Sequence, residues 1–155
     1  MKTKPISENI IISEIELIYK SKSKPSGRPL INTAKDAFEL FLKIWDQNKI
    51  ELIEEFKALF LNRANKVLAF YPMSTGGITG TVADPRLVYI AALKVGACSV
   101  ITAHNHPSGN LKPSRQDEEL ASKIREAGKF LDIKLLDNLI ISSEGYFSFA
   151  DEGVF

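Results

Sequence analysis

The sequence predicts one α/β domain with a central mixed β-sheet and helices packed against it. Segments with strand and helix periodicity alternate along the chain, which is typical of a layered fold. A length of 155 residues suits one domain with a sizeable core. The composition, 45% hydrophobic and 25% charged, is typical of a globular protein. We therefore expect a single domain over residues 1–155, with an N-terminal strand and basic connection over 1–30 and the core over 31–155.

The first half of the chain predicts a strand, a helix and a hairpin. Ile11–Tyr19 alternates apolar and polar residues as a half-buried strand does. Asn32 and Thr33 open a helix whose apolar residues fall on one side. Phe56–Leu61 and Val67–Tyr71 flank an Asn-Arg-Ala-Asn turn and predict a β-hairpin.

The second half predicts two helices alternating with strands. Asp84 followed by proline is a good helix start, and Gly96 is a plausible end of that helix. Ser99–Ala103 is short and apolar, as expected of a buried strand, and a helix follows over Ser114–Phe130. The last predicted strands lie near Ile133–Ile141 and Tyr146–Phe149.

Composition also limits which partners and which location we expect for the protein. The net charge of +1 creates no global field that would attract nucleic acid, so we do not expect direct nucleic-acid binding. The basic segment Lys20–Gly27 could touch phosphates, but a solvated connection is the favoured interpretation. No apolar stretch reaches the roughly 18–20 residues that span a bilayer. Ile10–Ile12 is too short and too acid-flanked for a signal peptide.

Cys98 is the single cysteine and cannot form an internal disulfide. The chain is therefore compatible with a reducing cytosol, and we expect a cytoplasmic protein. The apolar neighbourhood of Cys98 predicts a buried structural thiol rather than a nucleophile. The sequence leaves homo-oligomerisation open.

The two histidines of the chain, His104 and His106, directly follow the predicted strand Ser99–Ala103. In extended backbone, residues i and i+2 point to one face about 6.5–7 Å apart, so both imidazoles can reach one ion at roughly 2.0–2.1 Å. Asp117 lies in the first turn of the next predicted helix, where it could face back toward them. Two imidazoles and one carboxylate leave a coordination position for water, as in catalytic zinc sites. We therefore predict a metal site at these three residues.

Ser114 also has a purely structural interpretation. Ser-x-x-Asp resembles an N-capping pair, with Ser114 at the cap and Asp117 at the third helical position. Capping alone does not explain the histidine pair, the preceding strand or the loop that contains Pro107 and Gly109. Ser114 is compatible with both roles.

His-x-His-Pro, six further residues and Ser-x-x-Asp resemble the JAMM (MPN+) metalloprotease motif. A wider set of residues resembles the RadC-like branch of that family over roughly residues 30–155: Glu54-Glu55-Phe56, Leu59–Asn62, Gly76, Asp84-Pro85-Arg86 and Ala103–Gly109. The resemblance implies a JAB/MPN-like fold with cytidine-deaminase-like layering. It also implies one Zn²⁺ held by His104, His106, Asp117 and a water, with Ser114 helping to hold a developing oxyanion.

The resemblance further implies an upstream glutamate as general base. Period-two alternation puts Glu54 on the same face as Phe56 and Glu55 on the opposite face. Aligning Phe56–Asn62 with the RadC-like pattern places the family glutamate two residues before Phe56. This favours Glu54, with Glu55 as the alternative and Glu51 a distant third. Without the histidines, an acidic strand entry in solvent would be the ordinary interpretation of this cluster.

We therefore predict a zinc-dependent hydrolase of the JAMM type, a metallopeptidase or isopeptidase that uses a metal-activated water. The competing hypothesis is a non-enzymatic MPN-type binding scaffold associated with DNA repair or mobile-element functions. Longer members of the RadC-like branch carry an N-terminal helix–hairpin–helix module and a DNA-repair label. We expect no such module within these 155 residues, and on that expectation a direct role in binding DNA is less favoured.

Two further site types do not fit. Ser74–Gly80 is glycine-rich but lacks the Gly-Lys-Ser/Thr ending of a phosphate loop, so we expect it to form a flexible wall of the active-site cleft. A zinc deaminase requires His-x-Glu and Pro-Cys-x-x-Cys, which a chain with one cysteine cannot supply.

Overall fold

The structure is a computed structural model that describes residues 12–77 and 83–155. Its helices are α1 (Ala34–Ile44), α2 (Pro85–Lys94) and α3 (Arg115–Phe130), preceded by a 3₁₀ turn at Pro25–Gly27. Its strands are β1 (Glu55–Leu61), β2 (Val67–Thr75), β3 (Ser99–Asn105), β4 (Lys134–Ile141) and β5 (Tyr146–Ser148). The expected α/β class and mixed sheet are confirmed.

The described strands form one sheet in the order β2-β1-β3-β4-β5. β1 pairs antiparallel with both β2 and β3, and β5 pairs antiparallel with β4. β3 and β4 are parallel, and α3 makes the crossover between them, as parallel neighbours require. This connection brings the end of β3 close to the beginning of α3, which is where the histidines and Asp117 lie.

Helices cover both faces of the sheet. On one face Phe56, Phe60 and Val100 belong to a core cluster that includes Val88 of α2 and Ile124 of α3. On the other face a second cluster forms around α1, with residues Ala37, Phe41, Leu59, Leu61, Ile101, Ala103, Leu139 and Ile141 among its members. Alternate residues of β1 and β3 therefore enter different cores, as the period of two predicts.

The helix starts follow the local sequence. The Thr33 hydroxyl accepts from Asp36 N–H at 3.1 Å, while the Asp36 carboxylate accepts from Thr33 N–H at 2.8 Å, which makes a capping box. Asp84 caps α2 with Pro85 in the first turn, and Gly96 follows the helix with φ +67°. A positive φ favours glycine at that position, which explains the predicted stop.

The prediction of a strand at Ile11–Tyr19 is wrong over its described part. Residues 12–19 form no strand and are exposed, and Ile11 lies outside the described residues. The Tyr19 hydroxyl donates to the carbonyl of Leu68 at 2.6 Å. Alternation reports which residues could share a face, but a strand also needs a partner edge, and no strand of the described sheet pairs with this segment.

The prediction of a buried Cys98 is also wrong, because Cys98 is exposed. It lies just before β3, between Ala97 and Ser99, whose side chains are both buried. In nearly extended backbone the residue between two inward-pointing side chains points outward. Among the described residues, no helix is long and apolar enough to cross a membrane.

Candidate metal centre

His104 and His106 point their Nε2 atoms toward the same place. These two atoms lie 3.1 Å apart, and the rings meet edge to face with centroids 4.9 Å apart. His104 is the penultimate residue of β3, and His106 follows the strand. His104 is 3% exposed, and its ring stacks on Phe56 of β1 with an interplanar angle of 5°. Packing against Phe56 therefore fixes the orientation of the more buried histidine.

Asp117 completes the group from the first turn of α3. Its Oδ1 lies 3.1 Å from His104 Nε2, and its Oδ2 lies 3.6 Å from His106 Nε2. One carboxylate thus faces both histidines across the β3–α3 connection. The sequence expectation that Asp117 turns back toward the histidine pair is confirmed.

The three side chains fit the geometry of a divalent ion. Each offers one ligand atom, and these atoms all lie within 4.8 Å of one another. Ligand atoms placed tetrahedrally at roughly 2.0–2.1 Å from an ion are about 3.4 Å apart. The separations of 3.1, 3.1 and 3.6 Å scatter around that value. His104, His106 and Asp117 could therefore hold a metal ion.

The tautomer of His106 supports its role as a ligand. Its Nδ1 lies 2.5 Å from the carbonyl oxygen of Asn110. A carbonyl only accepts, so Nδ1 carries the hydrogen, and whenever the ring is neutral its lone pair is at Nε2. Ligating histidines commonly fix their second nitrogen in this way. The loop that contains Pro107 and Gly109 supplies this carbonyl.

Asp117 and His106 each favour the charged form of the other. The hydrogen bond with Asp117 raises the pKa of His106, and the Asn110 carbonyl and the charge of Glu54 act in the same direction. Burial disfavours ionisation of Asp117, but hydrogen bonds from His104 and His106 outweigh it and hold the pKa of that carboxyl well below its usual range. The lowered pKa of Asp117 favours its anionic form, which can attract a cation.

The structure places the candidate glutamates in different environments. Glu54 lines a small cavity together with His104 and Asp117. Glu55 is buried on the other side of the sheet, where its Oε2 lies 3.4 Å from Lys57 Nζ. Glu51 lines a neighbouring cavity of about 310 Å³ beside His106 and accepts a 2.7 Å hydrogen bond from Ser143. Of the three glutamates, Glu54 is the one beside His104 and Asp117.

Asn138 of β4 is a site residue that sequence reasoning missed. It is 2% exposed and lines the same cavity as Glu54, and its Oδ1 accepts from the Thr102 hydroxyl at 2.7 Å. The cavity has about 10 Å³ of free volume, close to the room that one water needs. The available signal was a polar Asp-Asn pair among apolar residues, in the stretch Leu135–Ile141.

Ser114 occupies the N-cap of α3, as the capping interpretation predicted. Its Oγ accepts from Asp117 N–H at 3.1 Å, and its own N–H donates to Asp117 Oδ2 at 2.7 Å. The hydroxyl oxygen serves the cap as an acceptor, so its hydrogen is left for another acceptor. A catalytic role for Ser114 stays a prediction.

The glycine-rich segment is only partly described. Ser74 and Thr75 belong to β2, and Gly76 N–H donates to the Glu54 carbonyl at 2.8 Å. Residues 78–80 lie outside the described residues. The start of the segment therefore contacts the residue beside the metal ligands, while the flexibility expected of this wall stays a prediction.

Comparison with known proteins identifies the family. Residues 31–154 match the RadC-like JAB domain. The chain belongs to the RadC-like JAB domain family. A protein of Flavobacterium johnsoniae named UPF0758 protein is 47% identical over 125 residues, which cover 81% of this chain and 53% of that protein.

Other relatives of this JAB domain carry the same name. One from Rubrobacter xylanophilus is 35% identical over 147 residues, covering 94% of this chain and 63% of the relative. One from Porphyromonas gingivalis is 44% identical over 102 residues, covering 65% of this chain and 45% of the relative. The chain thus spans about half to two thirds of the length of these relatives.

Proposed function

We propose that this RadC-like JAB domain is a zinc-dependent hydrolase that cleaves peptide or isopeptide bonds. The observation that carries the proposal is the convergence of His104, His106 and Asp117 within 4.8 Å, with Glu54 in the cavity beside them. Nitrogen and oxygen ligands without thiolates are typical of catalytic rather than structural zinc. Three protein ligands also leave one coordination position open for a water.

A divalent ion bound there would acidify a water and polarise the carbonyl oxygen of the substrate. Glu54, which lines the cavity, accepts the proton of the attacking water and returns it to the leaving amine. The Ser114 hydroxyl, whose hydrogen the helix cap does not use, donates to the developing oxyanion. His104 and Phe56 are buried and shield the inner side of the site from bulk solvent.

A paired substitution at neighbouring glutamates tests the proposal. The zinc-loaded protein is screened against peptide and isopeptide-linked substrates, and any hydrolysis is measured in Glu54→Gln and Glu55→Gln. Glu54→Gln should abolish turnover with zinc content unchanged, because Glu54 is not among the three ligands. Glu55→Gln is the matched control and should retain activity, because its side chain lies on the opposite face of the sheet.

The scaffold hypothesis predicts a different result from the same screen. A binding scaffold retains one equivalent of metal but hydrolyses none of the substrates, and Glu54→Gln then changes nothing that is measured. Loss of turnover in Glu55→Gln but not in Glu54→Gln would instead show that the other glutamate is the base.

A further inference from the structure

Asn105 lies between the two histidine ligands and points to the opposite face of the sheet. It is fully buried, with 0% exposure. Its Oδ1 accepts from Glu55 N–H at 2.7 Å, and its Nδ2 donates to the carbonyls of Ile50 at 2.7 Å and Ile53 at 2.9 Å. Oδ1 and both N–H groups of Nδ2 therefore have partners, all of them main-chain groups on residues 50–55.

These bonds begin where the sheet ladder ends. The pairing of β1 with β3 stops at Phe56 opposite His104. Residues 47–53 form turns and a bend, and Glu54 belongs to no regular element. Beyond the last paired residues, hydrogen bonds of the Asn105 side chain connect β3 to the segment that carries Glu54.

Glu54 is held on both sides by contacts that do not use its own side chain. Asn105 binds the main chain of the residues immediately before and after it, Ile53 and Glu55. The Glu54 carbonyl itself accepts from Gly76 N–H at 2.8 Å. Glu54 is thereby held where it lines the cavity together with His104 and Asp117.

We propose that Asn105 is a positioning residue that fixes the Glu54 carboxylate against the metal ligands. The inference rests on the proposed function, in which Glu54 is the general base. A base must lie within hydrogen-bond reach of the proton it takes, and a misplacement of about 1 Å can cost about 10²-fold in rate. Asn105 shares a strand end with His104 and binds both sequence neighbours of Glu54, so it links the segment that carries the base directly to the strand that carries the ligands.

The test uses Co²⁺ as the probe, since its visible absorption changes with pH as groups near the ion ionise. The pH midpoint of that change is measured in the wild type, Glu54→Gln, Asn105→Ala and the double variant, each checked for one equivalent of Co²⁺. Asn62→Ala is the matched control: its side-chain oxygen also accepts from two main-chain N–H groups, of Ala64 and Lys66, but at the far end of β1.

We expect Glu54→Gln to move the midpoint by about one pH unit or more, the effect of removing a nearby charge. Asn105→Ala should move the midpoint in the same direction by a smaller amount. The double variant should show no larger shift than Glu54→Gln alone. Asn62→Ala should leave the midpoint unchanged. If Asn105 acts through Glu54, removing Glu54 removes the effect of Asn105→Ala, so non-additivity is the signature of positioning, whereas an additive shift would mean that Asn105 acts through its neighbours His104 and His106 and would overturn the proposal.

Each other outcome overturns a specific statement. If Asn105→Ala folds and has the wild-type midpoint while the midpoint of Glu54→Gln is shifted, the positioning role is wrong. The proposed function is unaffected by that result. A wild-type midpoint in Glu54→Gln refutes the base assignment, and the positioning role fails with it. If Asn105→Ala does not fold, Asn105→Ser, which is neutral and keeps one donor and one acceptor, replaces it. Failure of both variants to fold would make Asn105 a folding residue and overturn the proposal.

Discussion

The N–H of Ser114 donates a 2.7 Å hydrogen bond to Oδ2 of Asp117, whose Oδ1 lies 3.1 Å from His104 Nε2. The capping box of α3 therefore also orients a candidate metal ligand. Groups that hydrogen-bond to a metal ligand fix its orientation, and their loss typically costs about 10–100-fold in metal affinity or activity. The start of the helix and the metal centre are built from one local arrangement.

We expect Ser114→Ala to lower stability by about 0.5–2 kcal/mol, because Asp117 N–H loses its side-chain acceptor. Metal content should persist, since the main-chain bond from Ser114 to Asp117 remains. If the hydroxyl also donates to an oxyanion, kcat should fall by about 10²–10³ with KM nearly constant. Thermal melting and steady-state kinetics measure the two effects separately.

Thr33→Ala is the matched control for that experiment, because Thr33 caps α1 with the same kind of capping box. It should lower the melting temperature and leave turnover unchanged. Ser114→Asp should stay folded but inactive, because it preserves much of the cap while adding a carboxylate near the ion. A Ser114→Ala protein that melts early yet turns over normally would make the serine a cap only.

We expect His104→Ala and His106→Ala to lose most of the bound metal, because two remaining protein ligands hold an ion poorly. Metal content per chain after dialysis, measured by atomic emission or mass spectrometry, gives the answer. Cys98→Ser is the control and should keep the ion, since the exposed Cys98 is not among the three residues grouped at the site. Full metal content in the double histidine variant would disprove the site.

We expect Glu55→Ala to destabilise the protein by about 3–5 kcal/mol without removing the metal. Glu55 and Lys57 form a 3.4 Å ion pair whose side chains are 10% and 7% exposed, and the Lys57 ammonium also lies 4.3 Å from the centre of the Trp45 ring. Removing Glu55 leaves Lys57 buried without its counter-charge. Denaturant unfolding measures the loss, and adding Lys57→Met to Glu55→Ala should recover much of it; no recovery would show that the ion pair is not the cause.

We expect Tyr89 to make stability depend on alkaline pH. Burial raises the pKa of Tyr89 from 10.0 to about 12, and its hydroxyl donates to the Ile124 carbonyl. The folded state thus favours the neutral phenol. This contribution is complete below pH 10, the ordinary pKa of tyrosine, and is lost as the pH rises toward about 12.

Tyr89→Phe tests whether ionisation of Tyr89 lowers stability at high pH, because the variant has no phenol to ionise. The difference in unfolding free energy between wild type and Tyr89→Phe should be constant at neutral pH and shrink as the pH rises from 10.0 toward about 12. A difference that stays constant over this range would contradict the assignment. Gly128→Ala should be more damaging, because its added Cβ would lie 2.2 Å from the Ile133 carbonyl oxygen and 2.5 Å from the Tyr89 hydroxyl.

Features that depend on residues close together in the chain could be predicted before the fold was known. Periodicity of two or 3.6 residues reports the type of element, and capping residues such as Thr33 and Ser114 mark where helices begin. The candidate metal-binding group could also be predicted, because His104 and His106 are two residues apart and Asp117 lies in the first turn of the very next helix. A strand end and the following helix are joined by a short loop, so little remained for the rest of the fold to decide.

Features that depend on pairing between distant segments could not be predicted and became visible in the folded chain. Glu54 reaches the ligands, and Asn138 joins them, because β1 and β4 both lie beside β3, some 34 to 50 residues away in sequence. The segment 12–19 has the alternation of a strand but no partner edge among the described strands, so it forms none. A strand's hydrogen bonds come from another part of the chain, and no local pattern records which part that is.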